Sequence, residues 1–184
     1  MIREVIVTTV SALGVVHVAP FGLIAAGEDE WVIAPFHPSV TLNNLRAVPF
    51  LVANYVDEVR VFAGCVTGRR KWKCVKSVWV PPPRLAVALA HAEMEVVSVE
   101  EDAQRPRFRC RILHRVTHAP FEGMNRAKAA VVEGAILVSR LGMLPRAKVE
   151  SEIAYLEIAV GKTGGDAERE AWGWLIEAVR AHYG

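Results

Sequence analysis

The sequence is short of cysteine, of aromatic residues and of net charge. Its three cysteines, Cys65, Cys74 and Cys110, are odd in number, widely spaced and show no C-x-x-C pattern. That argues against a disulfide framework or a zinc site and reads as reduced thiols in a cytoplasmic protein. Aromatic residues make up 8% of the 184 positions, and the formal charge is only +2. Such a balance is too mild to imply nucleic acid as a partner. The most apolar segment, 129–144, is interrupted by Glu133 and Arg140, so no membrane span is expected. The N-terminus carries Arg3 and Glu4 and lacks a long apolar run, so a secretory leader is not expected either. No G-x-S-x-G occurs, and no carboxylate pair demands an acid–base role. No catalytic residue is therefore assigned.

Two motifs imitate function. Gly161-Lys162-Thr163 looks like the end of a phosphate loop, but Leu156 stands where the first glycine is needed, and the stretch follows a helical pattern rather than a strand. His114 and His118 have metal-ligand spacing only on a helix. In a strand at about 3.3 Å per residue they lie roughly 13 Å apart. His17, His37, His91 and His182 form no cluster with them in sequence, so no metal is expected.

What is present is a strand-rich first half. Hydrophobic residues reach 52% and charged residues 23%, enough for a substantial core in one domain or in a barrel with a helical extension. Residues 5–9, 15–23, 31–35 and 50–55 read as strands, with turns at 11–14 and 28–30. Between them, 37–44 gathers small hydroxyl and amide side chains in a loop that opens a short helix. Ser39 or Thr41 could cap that helix, or serve with its N-terminal N–H groups and nearby Arg46 as a phosphate site. Residues 59–65 are a further apolar stretch, and Pro81-Pro82-Pro83 breaks the chain. Residues 85–92 suit a short helix or a buried strand.

Residues 93–99 and 107–116 read as a hairpin. Phe108, Cys110 and Ile112 fall on one face and Arg107, Arg109 and Arg111 on the other. A loop centred near Ala103 puts Glu95 opposite Arg111 as a cross-strand pair. The alternative is a non-enzymatic barrel binding single-stranded nucleic acid, using this arginine face and the Arg69–Lys73 cluster around Trp72.

After Pro120 the period becomes helical. Asn125 is the expected cap of a first helix, whose Arg126, Glu133 and Arg140 share one charged stripe. Pro145 opens a second helix with Val149, Ile153, Leu156 and Val160 on its apolar face, ended by Gly161. Asp166 caps a third, with Trp172, Ile176, Val179 and Tyr183 along one side. Strands followed by segregated helices imply an α+β architecture.

Thr8-Thr9, Gly14, Ala19-Pro20, Ala34-Pro35-Phe36, Ser39, Thr41, Asn44-Leu45 and Asn54 resemble the FMN-binding split barrel of flavin-reductase-like proteins. Within that superfamily the chain is most similar to the domain-of-unknown-function family 447. Asn125-Arg126-Ala127-Lys128, Val131-Val132-Glu133 and Ser139-Arg140-Leu141 are similar to that family's helical signature. The resemblance implies a split β-barrel over residues 1–120 and a C-terminal helical subdomain over 121–184, packed on the barrel. It implies FMN as cofactor, with flavin-dependent oxidoreductase or flavin reductase activity. The phosphate would lie at His37, Ser39, Thr41 and Asn44. The ring would lie along Ala19, Pro20, Phe21 and Gly22, where a proline without a donor and a glycine without a side chain allow close approach. Asn54 would reach the ring edge or the ribityl chain. Arg126 and Lys128 would contact the flavin near the interface of a homodimer, and a nicotinamide or another small molecule would donate electrons.

Overall fold

The computed structural model describes all residues from Met1 to Gly184. The chain divides into two compact units, one of residues 1–56 and 72–120, the other of 57–71 and 121–184.

The first unit is a closed antiparallel barrel. In chain order its elements are β1 (Ile2–Val10), β2 (Val16–Ala25), β3 (Glu30–Ile33), α1 (Val40–Ala47) and β4 (Phe50–Val56). After residue 72 come β5 (Cys74–Val75), β6 (Arg84–Leu85), β7 (Ala88–Glu100) and β8 (Arg107–Thr117). Around the barrel the order is β1-β2-β3-β8-β7-β4, while β5 and β6 form a separate two-stranded ribbon. Strand alternation sorts the side chains: Val5, Val7, Leu51, Ala53, Ala92, Met94, Phe108 and Cys110 fill the interior. Leu42 and Leu45 of α1 join that cluster, so the short helix plugs the barrel. The β1–β2 turn closes where expected: the Gly14 N–H donates to the Ser11 carbonyl, and Gly14 takes φ +77°. The open alternative at 85–92 resolves as strand: Leu85 ends β6, residues 86 and 87 turn, and 88–92 begin β7.

The second unit gathers α2 (Arg60–Val66), α3 (Arg126–Val138), α4 (Arg146–Thr163) and α5 (Asp166–Tyr183). Residues 57–71 therefore leave the barrel range of 1–120 given by the sequence: the apolar stretch 59–65 is a helix that packs on α3 and α5. Asn125 caps α3 as expected, accepting from the Ala127 N–H at 2.8 Å and the Lys128 N–H at 3.3 Å. Its amide also donates to the Thr163 carbonyl at 3.1 Å, tying the start of α3 to the end of α4. Arg126, Glu133 and Arg140 are all exposed, so the charged stripe faces water.

Two boundaries shift. Helix α4 runs past Gly161 to Gly164. A Cβ at Gly164 would sit 2.5 Å from the Val160 carbonyl oxygen, whereas Gly161 has open space around it, so the glycine that the helix end requires is Gly164. Helix α5 begins at Asp166 itself, with Gly165 as its N-cap, and the Gly165 N–H donates to Glu168 Oε2 at 2.8 Å.

Candidate functional site

Apart from Asn54 on β4, the sequence-derived site residues fall into three places. The first is the N-terminus of α1. Ser39 is its N-cap, its hydroxyl accepting the Leu42 N–H at 3.3 Å. The Asn43 N–H reaches the Ser39 carbonyl at 3.2 Å. The N–H groups of Val40 and Thr41, which no intrahelical carbonyl can meet, remain at the helix end. No acidic residue stands in the first turn. Thr41 and Asn44 are buried, and the Asn44 amide donates to Thr9 Oγ1 at 3.0 Å, pinning the helix to β1. His37 is exposed, held by its backbone N–H on the Gln104 carbonyl at 2.8 Å.

The cation differs from expectation. Arg46 sits in the last turn of α1, at the other end from Ser39, and pairs with Glu101 at 2.7 Å. Arg105 is the guanidinium beside the loop: its Cζ lies 4.3 Å from the centre of the Phe36 ring, and its Nε donates to the Ala34 carbonyl at 3.1 Å. Sequence reading passed over Arg105 because it lies in the polar tip of a hairpin, distant in sequence from Ser39.

The second place is β2. It pairs with β1 along its whole length but with β3 only through Ile24 and Ala25. Ala19, Pro20, Phe21 and Gly22 are thus laddered to β1 alone, which also explains a proline inside the strand. Phe21 packs on the barrel core. Gly22 serves packing between strands: a Cβ there would meet Ile2 Cγ2 at 2.8 Å and Glu4 Oε1 at 3.2 Å. The room left by the missing side chain is taken up by β1.

Asn54 proves to be a clamp. It is fully buried; its amide nitrogen donates to the Ile6 carbonyl at 3.0 Å and its oxygen accepts the Leu85 N–H at 2.7 Å. Both ends of the side chain are consumed in holding the β6 segment against β1 and β4. The third place is α3, described within its own unit: Arg126 is exposed, and the Lys128 ammonium pairs with Asp57.

The arginine face is charge-balanced. Glu95 stands opposite Arg111 as expected, with an irregularity at Val97 between that pair and the hairpin loop, and Arg111 Nε donates to it at 3.0 Å. Arg109 pairs with Glu30 at 2.7 Å and Arg107 with Glu100 at 3.5 Å. Arg69 lies over the Trp174 ring at 4.2 Å and pairs with Glu177 at 3.7 Å. A polyanion would have to displace carboxylates at each of these positions, and the nucleic-acid reading finds no support.

One cluster escaped the sequence. Glu93 has no exposed surface, and its carboxylate accepts the backbone N–H groups of Val78 (2.9 Å), Trp79 (2.6 Å) and Val80 (3.1 Å). His91 Nε2 lies 3.2 Å from the same carboxylate, and His91 Nδ1 lies 2.9 Å from His118 Nε2. The two rings stack with centres 5.0 Å apart; the His114 ring lies 6.3 Å from His91 and 6.2 Å from Trp79. Burial raises the Glu93 carboxyl, but the Val78, Trp79 and Val80 N–H groups and His91 outweigh it and hold the group below the usual glutamate range. Burial depresses His91 against the opposing pull of Glu93, with Arg84 and His114 adding to the depression. His118 is depressed by burial, Arg84 and His91.

Residues 3–119 match the family model described as "Protein of unknown function (DUF447) N-terminal domain", and residues 125–177 match "Protein of unknown function (DUF447)". No curated protein matches the chain. Among solved structures, an FMN-bound DUF447 protein of Methanosarcina mazei is similar at 23% identity and TM-score 0.83, over 96% of this chain and 94% of that one. The 2-nitrobenzoate 2-nitroreductase NbaA of Pseudomonas fluorescens is similar at 24% identity and TM-score 0.55, over 63% and 65%. The NADH:FAD oxidoreductase SgcE6 of Streptomyces globisporus is similar at 13% identity and TM-score 0.54, over 62% and 75%. The α+β split-barrel fold with C-terminal helices is thereby established.

Proposed function

Because the chain belongs to the DUF447 family, with both of its family models matched, we propose that it is an FMN-binding protein of the flavin-reductase-like split-barrel type. The observation that carries this reading is the incompletely paired β2, laddered to β1 alone along Ala19–Gly22, in the same unit as a helix N-terminus free of acidic residues. A flavin needs two kinds of partner: donors for a phosphate and a flat polar edge for the ring. Helix α1 supplies the first through the Val40 and Thr41 N–H groups and the Thr41 hydroxyl, which suit a dianion. The backbone of Ala19, Pro20, Phe21 and Gly22 supplies the second, since a strand edge offers N–H and C=O groups in one plane. Arg105, in place of Arg46, adds positive charge beside the loop. The FMN-bound M. mazei relative supports the choice of cofactor, and the NADH:FAD oxidoreductase supports a nicotinamide as electron donor.

When bound, FMN carries hydride and electron chemistry, and the residues here bind and orient it. No side chain of this chain need be consumed in that chemistry, which agrees with the lack of a catalytic motif. We retain a homodimer with flavin near its interface as part of the proposal; Leu13 and Val15 at the β1–β2 turn are 91% and 65% exposed and give it apolar surface. Arg126 remains a candidate contact there, whereas Lys128 would first have to leave Asp57 and Asn54 would have to exchange a hydrogen bond.

The test is the visible absorbance of the purified protein after incubation with FMN and desalting, followed by titration. Thr41→Ala is expected to weaken FMN by about 1.5–3 kcal/mol, the loss of a charge-assisted hydrogen bond. Arg109→Ala is expected to leave affinity unchanged. Unaltered affinity in a folded Thr41→Ala protein would sink the phosphate site, and no binding by wild type would sink the flavin reading.

A further inference from the structure

We propose that Glu93, His91 and His118 form a proton-transfer chain that makes His118 a general base on the outer face of the barrel, acting on a flat ring that carries an acidic hydrogen. The hydrogen-bond directions follow from the partners. An ionised Glu93 only accepts, so the proton at the 3.2 Å contact belongs to His91 Nε2. A neutral His91 then has only a lone pair at Nδ1. The 2.9 Å contact to His118 Nε2 therefore uses a proton carried by His118. That leaves His118 Nδ1 with its lone pair, on a residue that is exposed while His91 and Glu93 are buried. The His118 backbone N–H donates to the Leu89 carbonyl at 2.7 Å, which fixes the residue just beyond β8.

A purely structural Glu93 would be served by the three backbone N–H groups it already accepts. The two histidines extend that buried charge to the surface, which loop anchoring does not require. In the transfer, the ligand's X–H bond breaks and its electron pair stays on X. The proton binds His118 Nδ1, and the His118 Nε2 proton passes to His91 Nδ1. Positive charge thus comes onto His91, against the Glu93 carboxylate, whose pull offsets part of the cost of burying it. No electrons are exchanged and no co-reactant is needed. Arg84 from β6 and His114 from β8 face the pair and oppose its protonation, so the base is free at neutral pH. Trp79, 64% exposed and tilted at 35° to the His114 ring 6.2 Å away, offers the apolar face that selects a planar ligand.

The chain is independent of the flavin reading and is tested on the full protein as purified. The probe is 5-nitrobenzisoxazole, a planar ring that opens when a base removes its ring proton. Wild type is expected to accelerate the opening with a histidine-like pH profile. His118→Gln, an exposed change that leaves the fold intact, should lose about tenfold or more. His182→Gln, an exposed change on α5, should stay near wild type. Glu93→Gln should shift the pH midpoint downward, because the negative charge that favours protonation is gone. Nitrogen NMR should find both His91 and His118 protonated at Nε2 in the resting state. An unchanged rate in His118→Gln, an unchanged midpoint in Glu93→Gln, or an Nδ1–H tautomer at His118 would each overturn the proposal.

Discussion

Replacing Glu93 tests the part of the barrel that sequence reading missed. The carboxylate has no exposed surface and meets four donors: the N–H groups of Val78, Trp79 and Val80 and His91 Nε2. Glu93→Leu preserves volume and removes every acceptor. Val78 and Trp79 are exposed residues whose N–H groups can turn to water, but Val80 and His91 are buried. Two stranded buried donors at about 1–3 kcal/mol each give an expected loss of about 3–5 kcal/mol. Glu93→Gln keeps one acceptor oxygen but turns an NH₂ group toward a backbone donor, so about 2 kcal/mol is expected. Urea unfolding near neutral pH reads both as shifts in midpoint at constant slope. The pH dependence has a definite sign. The folded carboxyl is held below its unfolded value, so its stabilisation is fully present above about pH 4.3 and is lost as pH falls through the folded value. The wild-type and Glu93→Gln curves should therefore converge in acid. A Glu93→Leu protein within about 1 kcal/mol of wild type, or one more stable than Glu93→Gln, would refute the accounting of stranded donors.

Two further outcomes are expected in stability and reactivity. Gly134 of α3 faces α5 so closely that a Cβ would stand 2.8 Å from Trp172 Cζ3 and 3.1 Å from Leu175 Cδ1, whereas Gly173 has open space. Gly173→Ala should stabilise the helical unit by about 1 kcal/mol through helix propensity, and Gly134→Ala should cost about 1–2 kcal/mol net because overpacking exceeds that gain. Thermal unfolding followed by helical circular dichroism ranks the two, and a reversed order would contradict the close approach. The Cys110 thiol is pushed up to about 12 by burial in the barrel interior. It should stay unlabelled by a thiol reagent in native protein at about pH 8 and react once denatured, since only the thiolate attacks.

The barrel was legible because its code is local. Period-two alternation in β8 separated Phe108 and Cys110 from Arg107, Arg109 and Arg111, and counting from the hairpin loop placed Glu95 against Arg111. The same counting fails a few residues later for a physical reason. Met94 pairs with Ile112, but Glu93 pairs with His114, so Leu113 is an extra residue in β8. One extra residue reverses the facing of everything beyond it. Regular alternation would send His114 to the side opposite Glu93; the bulge returns His114 and Val116 to the outer face beside His91 and Glu93. Nothing in Ile112-Leu113-His114 announces a bulge. The spacing of four between His114 and His118 was weighed only against a shared ion, and it concealed that His91, on the neighbouring strand, lies within hydrogen-bonding distance of His118. Gly22 and Asn54 have a structural use that the sequence did not disclose. A glycine in a strand and a buried amide are the residues a ligand site uses, but they are equally what a tightly wrapped barrel needs where Ile2 crosses β2 and where Leu85 is fastened to β4. Which use applies depends on neighbours that are distant in the chain. At α1 and β2 the neighbours leave backbone donors and a strand edge available, and there the proposed flavin site has its strongest physical basis.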